Sequence, residues 1–322
     1  MPFGATLVNQ RIKRPLLSTA IACLTASNVS LAATSEWQKN NKAGEIAFGK
    51  HQYALSEKYF SAALREAEKF GLKDRRITTS LVNLVRLYAN ERKYGEAEKL
   101  LKRALALDEK ALGPEHLQVA CDLFHLALIR KSQLRKAEAE SLFKRSLAIM
   151  EKNLGPNHLD VARNLKNLIE LYSEQGKYAE AESLCRRALE IKEKALGTDH
   201  PDVATALDTL AQLYIAQGKL SEAEPLSKRA LSIDEKALEP DDADLAIRLN
   251  TLGKIYCTQG NYSESEPLFK RALAIDEKAL GAEHPHVVKV LKNYALLLHG
   301  TGRDKEAEEL EARVNTIVAK QK

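Results

Sequence analysis

Cysteine is scarce in this chain and poorly placed for a disulfide framework. Of the four cysteines, Cys23 lies in the N-terminal segment. Cys121, Cys185 and Cys257 remain, an odd number scattered over separate stretches, and nothing around them marks a reactive thiol. A glycine-rich phosphate loop, a nucleophile elbow and a close Cys/His cluster are missing too, so the usual signatures of nucleotide binding, acyl transfer and structural zinc are absent. No apolar run after the N-terminal one is long enough to span a bilayer. A charge bias is also lacking. The formal net charge is +5, and residues 1–33 supply three basic and no acidic side chains, so it falls to +2 without them. Elsewhere Lys and Arg alternate with Glu, as in Glu180, Glu182, Arg186, Arg187, Glu190 and Glu193. That alternation reads as i,i+4 pairs on a solvated face and not as the one-sign stripe that nucleic acid requires.

What the chain does have is an echo. Gly113-Pro114-Glu115-His116, Gly155-Pro156-Asn157-His158, Gly197-Thr198-Asp199-His200 and Gly281-Ala282-Glu283-His284 lie on one 42-residue register, and Glu239-Pro240-Asp241-Asp242 fills the remaining place. A fixed period of this size means stacked supersecondary units, each unable to bury its apolar face alone. A hydrophobic content of 44% excludes general disorder. A solenoid also adds units without enlarging one spherical core, so one continuous domain is expected in place of two globular ones.

Within a period the apolar residues step by three and four. Val161, Leu165, Leu168, Leu171 and Tyr172 make one helical stripe. Gly176 breaks it, and Tyr178, Ala181, Leu184, Cys185, Ala188, Leu189 and Ile191 make a second, closing at Gly197 as a C′ glycine. Small residues share slots where helices must approach closely: Ala97, Ala139, Ala181, Ala223, Ser265 and Ala307 in one, Ala104, Ser146, Ala188, Ala230 and Ala272 in another.

These small slots, with a tyrosine before the turn glycine and an aromatic after it (Tyr172, Gly176, Tyr178), resemble the tetratricopeptide repeat (TPR). The longer period and the Gly-Pro-x-His string resemble its kinesin-light-chain subtype. The resemblance covers residues 74–322 in six units. It implies an all-α fold, a right-handed α-solenoid of stacked antiparallel helix pairs (a TPR-like superhelix), with second helices reaching the Glu-Lys-Ala-Leu strings such as Glu193 to Leu196. Residues 36–72 read as a degenerate N-terminal capping pair, with Tyr53 lying 41 residues before Tyr94. The last unit reads as a C-terminal cap, where Leu298 replaces the tyrosine and Arg313, Lys320 and Lys322 add polarity.

The first 35 residues hold no acid, carry Arg11, Lys13 and Arg14, and run through an apolar stretch to Ser30-Leu31-Ala32-Ala33. That order is a signal peptide's, so cleavage near Ala32 or Ala33 and a secreted or periplasmic mature chain without a transmembrane anchor are expected. A mitochondrial presequence shares the composition. A lipoprotein site at Cys23 is the other alternative, although Ala20 stands where leucine is usual.

The recurrent histidines His116, His158, His200 and His284 each open a different helix, so their spacing suits no metal. Asp242 at the equivalent place and Pro201 or Pro285 next to the histidine point to helix capping. The carboxylates keep the period as well. Neither catalysis nor a cofactor or metal is therefore expected. Just before the core leucine of each first helix a polar slot holds Asn83, His125, Asn167, Thr209, Thr251 and Asn293, with Arg86, Lys166, Glu170, Asp208, Gln212, Asn250, Lys254, Lys289 and Lys292 around it. By resemblance, first helices line a concave groove that holds an extended peptide, and an amide side chain can serve a peptide backbone with both donor and acceptor. Asp208 and Glu170 interrupt the lysines, so a mixed ligand is expected over an acidic tail. A scaffold binding a protein or peptide in this groove is the first functional reading. A structural subunit acting through self-association is the alternative.

Overall fold

Local chemistry starts each helix. Ser35 opens the first with a capping box, its hydroxyl accepting from Gln38 N–H while the Gln38 side chain accepts from Ser35 N–H. The computed structural model describes residues 35–71 and 74–320. The leader expected at residues 1–33 and Lys322 of the cap lie outside the described residues. Contacts divide the described chain into two compact units, one ending at Asn167 and the other beginning at Leu168, within the seventh helix.

The N-terminal unit contains α1 (Glu36–Gly49), α2 (Tyr53–Glu68), α3 (Arg75–Asn90), α4 (Tyr94–Leu112), α5 (Leu117–Ser132), α6 (Lys136–Leu154) and the first half of α7 (Leu159–Glu174). The rest of α7 belongs to the C-terminal unit. There it is followed by α8 (Tyr178–Leu196), α9 (Pro201–Ala216), α10 (Leu220–Ala237), α11 (Ala243–Gln259), α12 (Tyr262–Leu280), α13 (Pro285–Gly300) and α14 (Asp304–Lys320). The architecture is all-α, in consecutive packed pairs, and no strand occurs among the described residues. Within each unit helices pack on their chain neighbours, and first helices also touch the next first helix, α11 meeting both α9 and α13.

The small slots do what close packing asks. Ala97, Ala139, Ala181, Ala223, Ser265 and Ala307 are all fully buried. Ser265 also donates its hydroxyl to the Gly253 carbonyl at 2.6 Å. The cores are local, as a stack requires: Val85, Leu101, Leu126 and Ile129 form one cluster, and Leu249, Phe269, Ala295 and Leu297 belong to another. Pro225 and Pro267, in one register slot, lie inside α10 and α12, and both helices continue through them.

Two joints alternate along the chain. The tight turn inside each pair closes as a Schellman motif: Lys93 N–H donates to the Tyr88 carbonyl at 2.8 Å and Lys219 N–H to the Tyr214 carbonyl at 2.9 Å. It needs one residue at positive φ. The loop between pairs begins at Gly113, Gly155, Gly197 and Gly281, with φ of 86–91° and ψ of 150–161°. The expected left-handed C′ glycine is therefore corrected to an extended conformation that is almost exclusive to glycine. Where Glu239 takes that place, α10 stops early and Leu238 caps it at φ −114°.

The loop histidines are caps. His116, His158, His200 and His284 each accept a backbone N–H two residues on, at 3.0–3.2 Å, and Asp242 does the same at 2.8 Å.

A polar seam joins neighbouring pairs. Tyr88 donates to Glu57 at 2.7 Å and Tyr214 to Glu182 at 2.9 Å, which gives the recurrent tyrosine its role. Arg130 takes the tyrosine's place and donates to Glu98 at 2.7 Å. Where Leu298 has lost the hydroxyl, Tyr294 one turn earlier and Arg303 both donate to Glu266 at 2.9 Å. The outer charges also do more than pair along one helix. Arg186 and Lys194 make the expected i,i+4 contacts with Glu182 and Glu190, but Arg103–Glu68, Arg145–Glu109, Arg229–Glu193, Arg271–Glu235 and Arg313–Glu277 bridge successive second helices at 2.5–2.7 Å.

Candidate partner-binding face

The polar slot of the first helices divides into buried and open positions. In the N-terminal unit Asn83 is buried, and its Nδ2 donates to Asn41 Oδ1 at 2.8 Å across the repeat boundary, while Asn41 Nδ2 donates to Glu45 at 3.2 Å. Beside this chain the Arg86 guanidinium lies 4.6 Å from the Phe48 ring centre, and desolvation pulls its pKa down. His125 is buried against Phe124 and borders a small hollow with Val85, Ala89 and Tyr94. Burial lowers its pKa to about 4, so its ring is neutral at physiological pH. On α7, Lys166 and Glu170 are exposed and Asn167 is half-buried.

In the C-terminal unit Asp208 and Thr251, expected in the groove, are buried, and Arg248 holds Asp208 inward. This buried arginine reaches Asp234 at 2.8 Å through Nε, Asp208 at 3.2 Å through Nη1 and the Thr205 hydroxyl at 2.9 Å through Nη2. Gln212 Nε2 adds a donor to Asp208 at 2.5 Å. Desolvation pushes both carboxyls up in pKa, with Arg248 pulling against it. Two carboxylates on one guanidinium make a core network that locks α9, α10 and α11 together. Thr209 and Thr251 turn their hydroxyls back to the Thr205 and Ile247 carbonyls, at 2.8 and 3.0 Å. Asn83, His125, Asp208 and Thr251 are thus withdrawn from solvent.

Gln212 is exposed on α9, and the remaining open positions of this unit lie on α11 and α13. Asn293 Nδ2 donates to Asn250 Oδ1 at 2.9 Å. Lys254 and Lys289 are exposed, yet surrounding protein crowds both enough to lower their pKa by desolvation. Lys292 is exposed on α13, and Leu296, one turn further on, is 64% exposed.

Sequence reasoning missed Asn41, Thr205, Asp234, Arg248 and Leu296. A signal for Arg248 was present: its slot otherwise holds Ser80, Asp122, Asn164, Ala206 and Val290, and an acid, Asp234, stands 14 residues earlier. Among the described residues no group of three His, Cys, Asp or Glu side chains could hold a metal, and no helix is long and apolar enough to cross a membrane. Cys185 is buried, and its thiol is pushed up to about 12, the behaviour of a small core hydrophobe.

The sequence profile described as Tetratricopeptide repeat matches residues 76–152, 132–182, 160–236 and 243–315. No curated protein matches the chain. Among solved structures, the nearly identical TPR-like repeats of a Podosopora anserina protein of the kinesin-light-chain type are 27% identical. That match covers 65% of this chain and 97% of the other, at a TM-score of 0.54. BtubC (BKLC) from P. vanneervenii is 24% identical over 70% of this chain and 91% of its own, at a TM-score of 0.62. The apo form of RapI is 18% identical, covers 89% of this chain and 98% of its own at a TM-score of 0.64, and shares the fold. The register read from the turn strings and the packed helix pairs agree with that profile: the chain belongs to the tetratricopeptide-repeat family, with repeats like those of kinesin light chains.

Proposed function

We propose that the chain is a protein-binding scaffold whose C-terminal unit holds an extended acidic segment of a partner along α9, α11 and α13. One observation carries this reading. Lys254 and Lys289 are crowded by protein but have no carboxylate partner among the described residues. An ammonium group partly stripped of water without a counterion sits at a cost, and a partner's carboxylate would remove it. Lys292 extends the positive patch, Leu296 offers apolar contact, and the Asn250–Asn293 pair leaves an amide donor and a carbonyl acceptor for a peptide backbone. The mixed ligand expected from sequence rested partly on Asp208, which Arg248 and burial remove from this face.

Fluorescence anisotropy with labelled extended peptides tests the proposal. Acidic peptides should bind more tightly than their basic counterparts and lose affinity as salt rises. Lys254→Ala or Lys289→Ala should each cost about 1.5–3 kcal/mol, the range for hydrogen bonds to a charged group. Equal affinity for acidic and basic peptides, unchanged by either substitution, would refute it. A stable oligomer without ligand, seen by light scattering, would favour the structural-subunit alternative. We propose as well that the chain is exported and cleaved near Ala32 or Ala33, as its acid-free leader suggests. Recovery of Met1 through Leu31 on the native protein by mass spectrometry would exclude this.

A further inference from the structure

One register position pairs a second helix with the first helix that follows it, 14 residues on, and the chain fills it differently each time. Asp234 meets Arg248 there, and Asn164 meets Met150, its Nδ2 lying 3.6 Å from the sulfur. On α4 and α5 the position is filled by two acids, Asp108 and Asp122, both buried. Asp108 Oδ2 and both carboxyl oxygens of Asp122 are shut off from solvent and receive no donor from any other group in good geometry. We infer that Asp108 and Asp122 share one proton in the folded N-terminal unit, which makes the α4–α5 joint a proton-dependent contact that loosens as the proton is lost.

The surroundings support this assignment. Arg75 on α3 and His116 at the start of α5 act on Asp108 through space, while Gln118 on α5 lies near enough to Asp122 to favour its charged form without donating to it in good geometry. Glu109 on α4 adds negative charge, itself held at 2.6 Å by Arg145 of α6. α6 also faces α5 with Phe143 against Phe124, with Ser146, whose hydroxyl goes to the Ala120 carbonyl, and with Glu138, which meets Arg130 two turns further along α5 at 3.4 Å. No cation of these elements is buried against the pair as Arg248 is buried against Asp208 and Asp234. Two facing carboxylates cannot both ionise cheaply in such a place, so one proton lies between them and the pair titrates as a unit. Desolvation and the mutual repulsion both push Asp122 up in pKa.

The sign follows from linkage. A carboxyl whose folded pKa is raised binds a proton that the unfolded chain has already released. The stability it contributes is full below the ordinary aspartate range near 4 and is lost as pH rises through the folded value. α5 also carries His125, so this loosening would reach the layer of first helices.

Trp37, the chain's single tryptophan, hydrogen-bonds Ser80 in this unit at 2.9 Å and reports on it. In the full chain, the urea midpoint read by Trp37 should fall between pH 5 and pH 9 (roughly the interval above the free aspartate pKa). Asp122→Asn should flatten that decline. The comparison is between variants because Asp208 and Asp234 also titrate. The same slope in wild type and Asp122→Asn would overturn the inference. Should that variant fail to fold, carboxyl-carbon NMR of aspartate-labelled wild type decides alone: the proposal requires one of these two carboxyls to remain protonated at neutral pH, and full ionisation of both would end it.

Discussion

Between paired helices the N-terminal unit turns through His51, Arg92 and Leu134, at φ of 58°, 59° and 64°, whereas the C-terminal unit turns through Gly176, Gly218, Gly260 and Gly302, at 72–81°. A side chain in the left-handed region costs about 1–2 kcal/mol, and glycine avoids that cost. The buried polar positions differ in the same sense. Arg248 gathers two buried acids in the C-terminal unit, while the N-terminal unit buries two acids together and a neutral histidine. Stability in a stack is local, being a sum over repeats and their nearest neighbours. The N-terminal unit should therefore open first, and should depend on pH from both sides, losing His125 to protonation in acid and the shared proton of Asp108 and Asp122 in alkali.

The comparison breaks most visibly at Arg248. Replacing it with Met leaves Asp208 and Asp234 buried without their cation and should cost about 3–5 kcal/mol. Hydrogen exchange should rise in α9, α10 and α11, with Trp37 fluorescence unchanged at low urea. Uniform loosening of the whole chain would contradict local stability.

His125 comes next. Its pKa is depressed to about 4 by burial, from 6.5 in the free side chain. Its contribution is present above pH 6.5 and falls away as pH drops toward 4, a loss of about 3 kcal/mol at 1.36 kcal/mol per pKa unit. His125→Asn, which restores the residue type found at Asn83 and Asn167, should shrink that acid-side fall in the urea midpoint read by Trp37. An identical acid limb in both proteins would place the sensitivity elsewhere.

These sites mark how far the sequence could be read. The 42-residue register, the helix pairs, the fully buried Ala97-to-Ala307 slot and the histidine caps follow from spacing and capping chemistry alone, because each is a one-dimensional pattern. Which polar residues face solvent is not such a pattern. Asp208 and Asn250 share one register slot, 42 residues apart, yet one is buried and the other half-open. The difference lies in Arg248, which has no equivalent in neighbouring repeats and draws Asp208 inward through a contact 40 residues along the chain. The seam shows the same limit: Leu298 looked like cap chemistry, and only the helix geometry brings Tyr294 and Arg303 to Glu266 in its place.

Exchanging turn residues sharpens the contrast at smaller scale. Leu134, 66% exposed, packs little, so Leu134→Gly should stabilise the N-terminal unit by about 1 kcal/mol by relieving the left-handed strain. Gly218→Leu should cost the C-terminal unit about 1–2 kcal/mol for the reverse reason. Paired urea titrations, read by Trp37 for the first and by helical ellipticity for the second, check both signs. Destabilisation by Leu134→Gly would mean that the turn leucine contributes contacts that outweigh its strain.

The smallest effect is expected on the outer face, where the two units are alike. Arg229 meets Glu193 at 2.7 Å with side chains 42% and 27% exposed. Water and salt screen such a pair, so Arg229→Ala should cost only about 0.2–1 kcal/mol, and less in high salt. Arg103–Glu68 has the same geometry in the N-terminal unit, at 2.6 Å with exposures of 41% and 38%. Arg103→Ala should therefore match Arg229→Ala within error, each measured as a shift of the urea midpoint in low and high salt. If the two costs instead differed by more than about 1 kcal/mol, beyond what an exposed pair supplies, the unequal stability of the units would be carried by their outer charges, and the turns and buried acids would lose their place as its cause.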